Sequence, residues 1–224
     1  MLLKEILKKK SLGRTLTNLA LEKKGLRLSG KILDLGGRDL YWEDGQPRGT
    51  SAFRFMRFEP GKTKFLRLDI DSSTKPEYHI NFEKDRLPFD DNSVDNILVF
   101  NLFEHIYNHR FLAQEIYRVL QRGGRVVGSV PFLLKIHPDP NDFFRYSKTA
   151  LKNIFKDTGF SKVEVEFIGN GPFCAEYSQI EFILPRIIRP FCVSLVVLLD
   201  KMLLKLKPKF KQRYALAYLF VLEK

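Results

Sequence analysis

Two apolar runs of the chain that are typical of buried strands end on acidic side chains. The first run leads into LDLGG (33–37), and the second closes on Asp69. A carboxylate accepts two hydrogen bonds from a vicinal diol such as that of a ribose, and small residues at a turn let a ligand approach the backbone. A pyrophosphate would require more free N–H groups at a helix N-terminus, without a neighbouring acid such as Asp39. These residues therefore favour a cationic adenosyl compound over a dinucleotide.

These runs belong to a longer alternation of predicted strands and helices. Strands that are apolar and β-branched, alternating with helices, predict a largely parallel sheet covered on both faces. Ligands of such sheets bind beyond the carboxyl ends of the strands. Residues 44–49 are predicted as a loop. The predicted strands are 31–35, 64–70, 94–100, 125–131, 162–168 and 214–222, and the predicted helices are 2–28, 50–58, 104–120, 147–157 and 178–206.

Composition narrows the classes of protein and partner. With 224 residues the chain can form one α/β domain, and its net charge of +12 indicates an anionic partner: nucleic acid, lipid headgroups or a phosphorylated substrate. Cys174 and Cys192 cannot build a disulfide framework, so a reducing, cytoplasmic location is expected. The spacing of Cys and His predicts no zinc site, and we expect no metal. The N-terminus lacks the apolar core of a signal peptide, and the run 191–199 is too short to span a bilayer.

Several segments together resemble the class I S-adenosylmethionine-dependent methyltransferases, in particular the methyltransferase type 11-like family. The resemblance covers about residues 30 to 170 and the last strand. It implies an α/β fold with a Rossmann-like seven-stranded sheet of six parallel strands and one antiparallel strand. The residue pattern adds an N-terminal helical segment (1–29), and the methyltransferase domain (30–224) includes an apolar, basic helical insertion (170–213) before the last strand. The matching segments are ILDLGG (32–37), LDID (68–71), LPFDDNSVDNILVFNLFEHI (87–106), EIYRVLQRGGRVVGSVPF (115–132) and HPDPNDFFRYS (137–147).

The resemblance implies S-adenosylmethionine as the cofactor and assigns a role to each matching position. The implied contacts are Asp34, Gly36 and Gly37 with the methionine and ribose side, Asp69 with the ribose hydroxyls, Ile70 with the adenine, Asn81 and Phe82 at the adenine amino group, Asn101 at the methyl group, and Glu104 and His105 facing the site.

Four of these assignments have alternatives. Asp34 could instead hold its turn, and Asp71 could take the place of Asp69 at the ribose. Glu104 could instead be a first-turn helix acid, and His105 could be a packed helix residue.

The segment HPDPNDFFRYS (137–147) follows a predicted strand and is expected over the acceptor side of the site. We predict His137 as the general base, Asp142 as part of the catalytic set and Arg145 as the group that fixes an anionic substrate. The alternative is a structural ion pair between Asp142 and Arg145, with Ser147 capping the next helix. The expected chemistry is in-line methyl transfer to a nucleophilic oxygen or nitrogen, in which positioning supplies most of the rate.

The insertion before the last strand is apolar and basic. Between Arg186 and Arg213 the only acid is Asp200, while Ser194, Lys201 and Lys205 share one helical face. This pattern favours contact of residues 183–212 with an anionic membrane surface or a lipid substrate, which would make the protein peripheral to the membrane. A helix packed on the domain and a homodimer interface are the alternatives.

The sequence therefore predicts methyl transfer to a hydroxyl or amine of a small or lipid-linked metabolite, for example a glycan intermediate. An RNA or protein methyltransferase is the second reading, which the net charge suggests. Nucleic acid is the less favoured partner, because the basic residues are spread out or lie in the apolar insertion. A non-catalytic binding protein on the same fold is the third reading, since Arg38 stands where the family has a glycine.

Overall fold

The computed structural model describes residues 11–37, 40–43, 46–49 and 55–224. They form a mixed α/β structure in which five helices accompany a large sheet. The strands are β1 (Arg27–Leu35), β2 (Leu40–Glu43), β3 (Gln46–Gly49), β4 (Arg57–Asp69), β5 (Tyr78–His79), β6 (Val94–Phe100), β7 (Leu120–Pro131), β8 (Lys162–Ile168) and β9 (Ala217–Glu223). The helices are α1 (Leu12–Lys24), α2 (His109–Val119), α3 (Lys148–Thr158), α4 (Pro172–Ile180) and α5 (Arg189–Leu206), with short 3-10 turns at Ser72–Thr74, Phe103–His105 and Pro208–Arg213.

The main sheet has seven strands in the order β5-β4-β1-β6-β7-β9-β8. The first five strands are parallel to one another, and β9 runs antiparallel to both β7 and β8. Six strands thus share one direction and one opposes them, which confirms the predicted fold class. β2 and β3 form a separate antiparallel pair.

Alternate residues of the central strands pack on opposite faces of the sheet. Leu33 and Ile97 join the larger cluster, which also holds the apolar sides of α2 and α3, whereas Ile32 and Leu98 join the cluster beneath Leu21 of α1. Both faces of these strands are therefore buried, as expected of parallel strands between two helical layers.

Several predicted boundaries differ from the structure. α1 begins after its cap Ser11, whose hydroxyl accepts from the Arg14 N–H, and it ends at Gly25 in the left-handed conformation, so residues 27–28 are strand and not helix. The predicted loop at 44–49 contains β3, and the predicted helix at 50–58 ends in the start of β4. The remainder of these predictions, at 1–10, 44–45 and 50–54, lies outside the described residues.

The predicted helix over 178–206 is two helices, α4 and α5, joined by residues 181–188. Two buried acids fix them. Asp200 of α5 accepts hydrogen bonds from the backbone N–H groups of Phe173 and Cys174 (both 3.0 Å) at the N-terminus of α4, and Glu181 accepts one from the Leu12 N–H (2.9 Å) at the start of α1. A carboxylate at a helix N-terminus satisfies free N–H groups and favours the helix dipole. The insertion is therefore docked on the domain.

The segment 87–91, which carries part of the recognised motif, is held by two side chains of α2. Arg118 donates to the carbonyls of Leu87 (2.9 Å) and Phe89 (2.8 Å) and to Asp91 (2.8 Å). Glu115 accepts from the Leu87 N–H (2.9 Å) and pairs with Arg118 (2.7 Å). This part of the motif has a structural role at the end of the sheet away from the candidate site.

Candidate functional site

The carboxyl ends of β4, β1, β6 and β7 lie side by side, because these strands are neighbours and parallel. The residues that follow them, which include most of the predicted site, therefore share one edge of the sheet. Arg38, the departure from the family pattern, lies outside the described residues.

The turn after β1 brings bare backbone to this edge. Gly36 has a φ of 70°, in the left-handed region, and its N–H donates to the Leu68 carbonyl at 2.8 Å. A Cβ atom at Gly37 would collide with the carboxylate of Asp34, so this side chain and the turn pack directly on each other. Asp34 is 3% exposed, and burial raises the pKa of its carboxyl to about 7.

Asp69 closes the neighbouring strand β4 and is buried. One oxygen of its carboxylate accepts from the Asp71 N–H at 2.9 Å. The Asp71 side chain accepts from the Ser73 N–H (2.9 Å) and so caps the following 3-10 turn. Between them, the Ile70 side chain is 42% exposed. The geometry favours Asp69 over Asp71 for a diol, with Ile70 presented to a flat apolar ring.

The next pair differs from the expectation. Asn81 is half-buried, and its side-chain oxygen accepts from the Glu83 N–H at 3.0 Å, which fixes the turn. Phe82 is 3% exposed and packs in the core beneath the sheet edge. Its ring therefore has little surface for a ligand, because the aromatic side chain completes the hydrophobic cluster.

Asn101 follows β6 with a φ of 51°, a conformation that asparagine tolerates better than most residues. Its side-chain oxygen accepts from the Ser129 hydroxyl at 3.0 Å, and its N–H donates to the Ser129 carbonyl at 2.8 Å. Asn101 is thereby held at the centre of the edge, between the glycine turn and the loop after β7.

The residues at this edge fit S-adenosylmethionine. The glycine turn offers backbone without side chains, the buried Asp69 offers a carboxylate, and the exposed Ile70 offers an apolar surface. Asp34, Gly36 and Gly37 would hold the methionine side, Asp69 the ribose and Ile70 the adenine. Bound there, the cofactor supplies an electrophilic methyl group.

The loop after β7 holds His137 in a defined orientation. Asp142 accepts from the His137 N–H at 3.0 Å and lies 3.3 Å from its Nδ1. Arg145 forms an ion pair with both oxygens of Asp142 and donates to the Phe144 carbonyl at 2.9 Å. The hydrogen bond from Arg145 is the main reason that the pKa of the Asp142 carboxyl lies well below its usual range. Ser147 caps α3 through the Ala150 N–H at 3.2 Å. Asp142 and Arg145 thus form an ion pair, and Asp142 also contacts the backbone N–H and the ring of His137.

Glu104 and His105 lie beside His137 on this acceptor side. The Nε2 atoms of both histidines are 3.8 Å from Oε1 of Glu104, and the two rings are 5.1 Å apart. Glu104 is fully buried, which raises the pKa of its carboxyl to about 8. Its backbone carbonyl accepts from the Phe143 N–H at 2.8 Å, which ties the turn 103–105 to the loop of His137. The sequence pattern places Glu104 and His105 at the cofactor and His137 at the acceptor, and it does not predict that the three side chains meet. The sequence feature that indicates a site here is the adjacent pair Glu104-His105 directly after a strand.

The chain is similar to known methyltransferases in part of its sequence and in its fold. Residues 63–128 match a family described as a methyltransferase domain. None of the curated proteins matches the chain.

Three solved structures share the fold. A methyltransferase from Archaeoglobus fulgidus that depends on S-adenosylmethionine has 17% identity and a TM-score of 0.58, over 94% of each chain. A Haloferax volcanii protein in complex with the Trm112 methyltransferase activator has 17% identity and a TM-score of 0.55, over 93% of this chain and 88% of that one. Phosphoethanolamine N-methyltransferase 2 of Haemonchus contortus, in complex with phosphomonomethylethanolamine and S-adenosylhomocysteine, has 17% identity and a TM-score of 0.54, over 93% of this chain and 52% of that one.

Proposed function

We propose that the chain is a class I S-adenosylmethionine-dependent methyltransferase, and that it methylates a hydroxyl or amine of a small or lipid-linked metabolite at an anionic membrane surface. The cofactor lies along the glycine turn and Asp69, and the acceptor lies between Asn101 and His137. The observation that carries the acceptor class is the exposed apolar face of α5.

Five apolar side chains of α5 form an exposed row, which we call the outer stripe. Their spacing of four, three, four and four residues places them on one face at 100° per residue. Val193 and Asp200, which are buried, lie on the opposite face and dock the helix. The members of the outer stripe are Phe191, Leu195, Leu198, Met202 and Leu206.

The charges around the outer stripe suit anionic headgroups. Lys201 and Lys205 are exposed beside it, and the only acid of residues 182–213, Asp200, is buried at the N-terminus of α4. Lysines that flank an apolar helix face are typical of helices that lie in a membrane interface. Among the described helices, no segment combines the length and apolar character that crossing a bilayer requires.

The insertion also contacts the loop that carries the acceptor side. Gln179 donates to the Leu133 carbonyl at 3.0 Å, and the Lys135 ammonium lies 4.9 Å from the centre of the Phe182 ring. Ile136, next to His137, is exposed, as is Ile183. Apolar side chains therefore accompany the path from α5 to the acceptor loop, and a lipid tail in the membrane would bring its polar end toward His137.

His137 is suited to take the proton of the acceptor. A carbonyl oxygen can only accept, so the Lys135 carbonyl at 3.1 Å places the proton on Nδ1 and leaves a lone pair on Nε2. The Asp142 carboxylate lies 3.3 Å from the same Nδ1 and so favours the same tautomer. A base oriented in this way assists the attack of an oxygen or nitrogen on the methyl group.

The test offers labelled cofactor and three pools of acceptors to the full chain. The pools are a lipid extract in anionic vesicles, the aqueous metabolites and total RNA, and the cofactor carries an isotope in its methyl group. We expect label in the lipid extract. Label confined to RNA would select the nucleic-acid alternative.

A calorimetric titration with S-adenosylmethionine separates catalysis from binding. Wild type should bind, and Asp69→Asn should bind at least ~10-fold more weakly, since it loses a charge-assisted acceptor of about 1.5–3 kcal/mol. Binding without transfer to any pool would favour the non-catalytic alternative.

A further inference from the structure

The cluster of Glu104, His105 and His137 presents three groups that accept and, among the described residues, no group that donates to them. Glu104 is 0% exposed, and neither of its side-chain oxygens has a hydrogen-bond partner in the described part of the chain. The oxygen nearest the two histidines is 3.8 Å from each Nε2, which is too long for a hydrogen bond. A buried carboxyl group whose oxygens have no hydrogen-bond partner is costly, and a cation beside it would supply the missing interaction.

Both imidazoles are oriented with their lone pairs toward Glu104. The Nδ1 of His105 faces the Asn141 carbonyl at 2.5 Å, and the Nδ1 of His137 faces the Lys135 carbonyl at 3.1 Å and Asp142 at 3.3 Å. Because these partners only accept, each Nδ1 carries the proton and each Nε2 is free. Histidines that ligate metals usually donate their other N–H to a carbonyl or carboxylate in this way.

We propose that Glu104, His105 and His137 bind a divalent transition-metal ion with the character of Zn²⁺. One ligand atom from each residue lies within 4.8 Å of the other two. Ligands of a tetrahedral zinc ion stand roughly 3.3 Å apart, so side-chain shifts of about 1 Å bring the three to the ion. Two imidazoles and one carboxylate favour Zn²⁺, Co²⁺ or Ni²⁺ over Mg²⁺ and Ca²⁺, which prefer oxygen ligands.

Three protein ligands leave one position of a tetrahedral ion open, as in catalytic zinc sites. The role of this position rests on the proposed function, which places the acceptor beside His137. There the ion would bind the acceptor hydroxyl and lower its pKa, and the proton would pass to solvent. In the metal-bound protein the Nε2 lone pair of His137 is a ligand rather than a base.

Metal binding is tested on the full chain after treatment with a chelator and without cofactor or acceptor. Titration calorimetry with Zn²⁺ should give one ion per chain, and Co²⁺ should give visible absorption bands of nitrogen coordination. Glu104→Gln, His105→Ala and His137→Ala should each weaken binding by ~100-fold or more. His79→Ala, an exposed histidine outside the cluster, should bind as wild type does.

Two readouts keep the result decisive. Absence of Zn²⁺ binding by wild type, or equal loss in the His79 variant, would overturn the proposal even where a cluster variant fails to fold. Titration of the same samples with S-adenosylmethionine reports the proposed function separately. Cofactor binding without metal binding would reject the metal site alone.

Discussion

The carboxyl of Asp34 is buried against the glycine turn, and burial raises its pKa to about 7. An unfolded aspartate ionises near pH 4, so between about pH 4 and 7 the folded chain holds the proton that the unfolded chain has lost. This group therefore lowers the free energy of unfolding as pH rises through that window, by roughly 4 kcal/mol in all.

Asp34→Asn should remove this part of the pH dependence. Urea unfolding of wild type and variant at about pH 5 and pH 8 measures it, and the stability of the variant relative to wild type should be higher at pH 8. Asp90→Asn, at an exposed aspartate, is the control and should retain the slope of wild type. An unchanged slope in the Asp34 variant would show that this carboxyl ionises normally.

His137 gives a second prediction at the scale of single residues. In chelator-treated, metal-free protein, His137→Ala should lower kcat by ~10²–10⁴-fold, because the acceptor loses the group that receives its proton. The affinity for S-adenosylmethionine should stay within a few fold, since the ring lies on the acceptor side. Turnover measured across about pH 6 to 9 checks this. A kcat equal to that of wild type at every pH contradicts the assignment.

Some of these residues were accessible from the sequence and others were not. Asp69 and Asn101 follow apolar runs, so the rule for parallel sheets placed them at the edge. The meeting of Glu104 with His137 depends on how two loops pack, through the contact of Phe143 with the Glu104 carbonyl. No spacing along the chain encodes that contact.

Among the elements, α2 holds segment 87–91 in place through the side chains of Arg118 and Glu115. Arg118→Met should lower the free energy of unfolding by about 3 kcal/mol, because it removes hydrogen bonds to two carbonyls and leaves the buried Glu115 without its closest partner. Urea unfolding measures the change. Arg122→Met, on an exposed arginine nearby, should stay within ~0.5 kcal/mol of wild type. If Arg118→Met is as stable as Arg122→Met, Arg118 does not have the structural role in segment 87–91 that is assigned to it.

The bounds of an element were predictable where the local sequence sets them and were not predictable where a tertiary contact sets them. β6 and β8 have the predicted bounds, 94–100 and 162–168, because the apolar residues of β6 and the alternating charged and apolar residues of β8 are both local strand patterns. β1 begins four residues before its predicted start at 31, since Gly30 and the polar residues beside it interrupt the pattern. The end of α4 at Ile180 is set by the packing of Glu181 on α1, which is a tertiary contact.

For the whole molecule, the outer stripe of α5 predicts how the protein meets a bilayer. Replacement of Phe191, Leu195 and Leu198 by serine should weaken binding to anionic vesicles by on the order of 10³-fold, at about 1.5 kcal/mol or more for each side chain. Flotation and vesicle titration measure this, and high salt should weaken binding by wild type. Because these side chains are exposed, the urea midpoint should not change.

The matched control replaces Leu195 and Leu198 by methionine, which keeps the face apolar and should preserve flotation. Substitution is a sharper test than deletion of 183–212, because a deletion also removes Asp200 from the start of α4. If the serine variant floats with vesicles as well as wild type does, the outer stripe is not the surface that binds the membrane. A dimer of wild type that the serine variant loses would assign the outer stripe to a second copy.

The two acids that fasten the insertion, Asp200 and Glu181, have a consequence for selectivity. Since each locks one helix onto the next, the outer stripe of α5 keeps a fixed position on the domain. Under the proposed function, the distance from the outer stripe to the ring of His137 then sets a constant height for the reaction above the headgroups. The protein would thus select acceptors by the distance of their reactive atom from the membrane surface. It would methylate those whose reactive atom lies at that height and not shorter or longer acceptors that carry the same functional group.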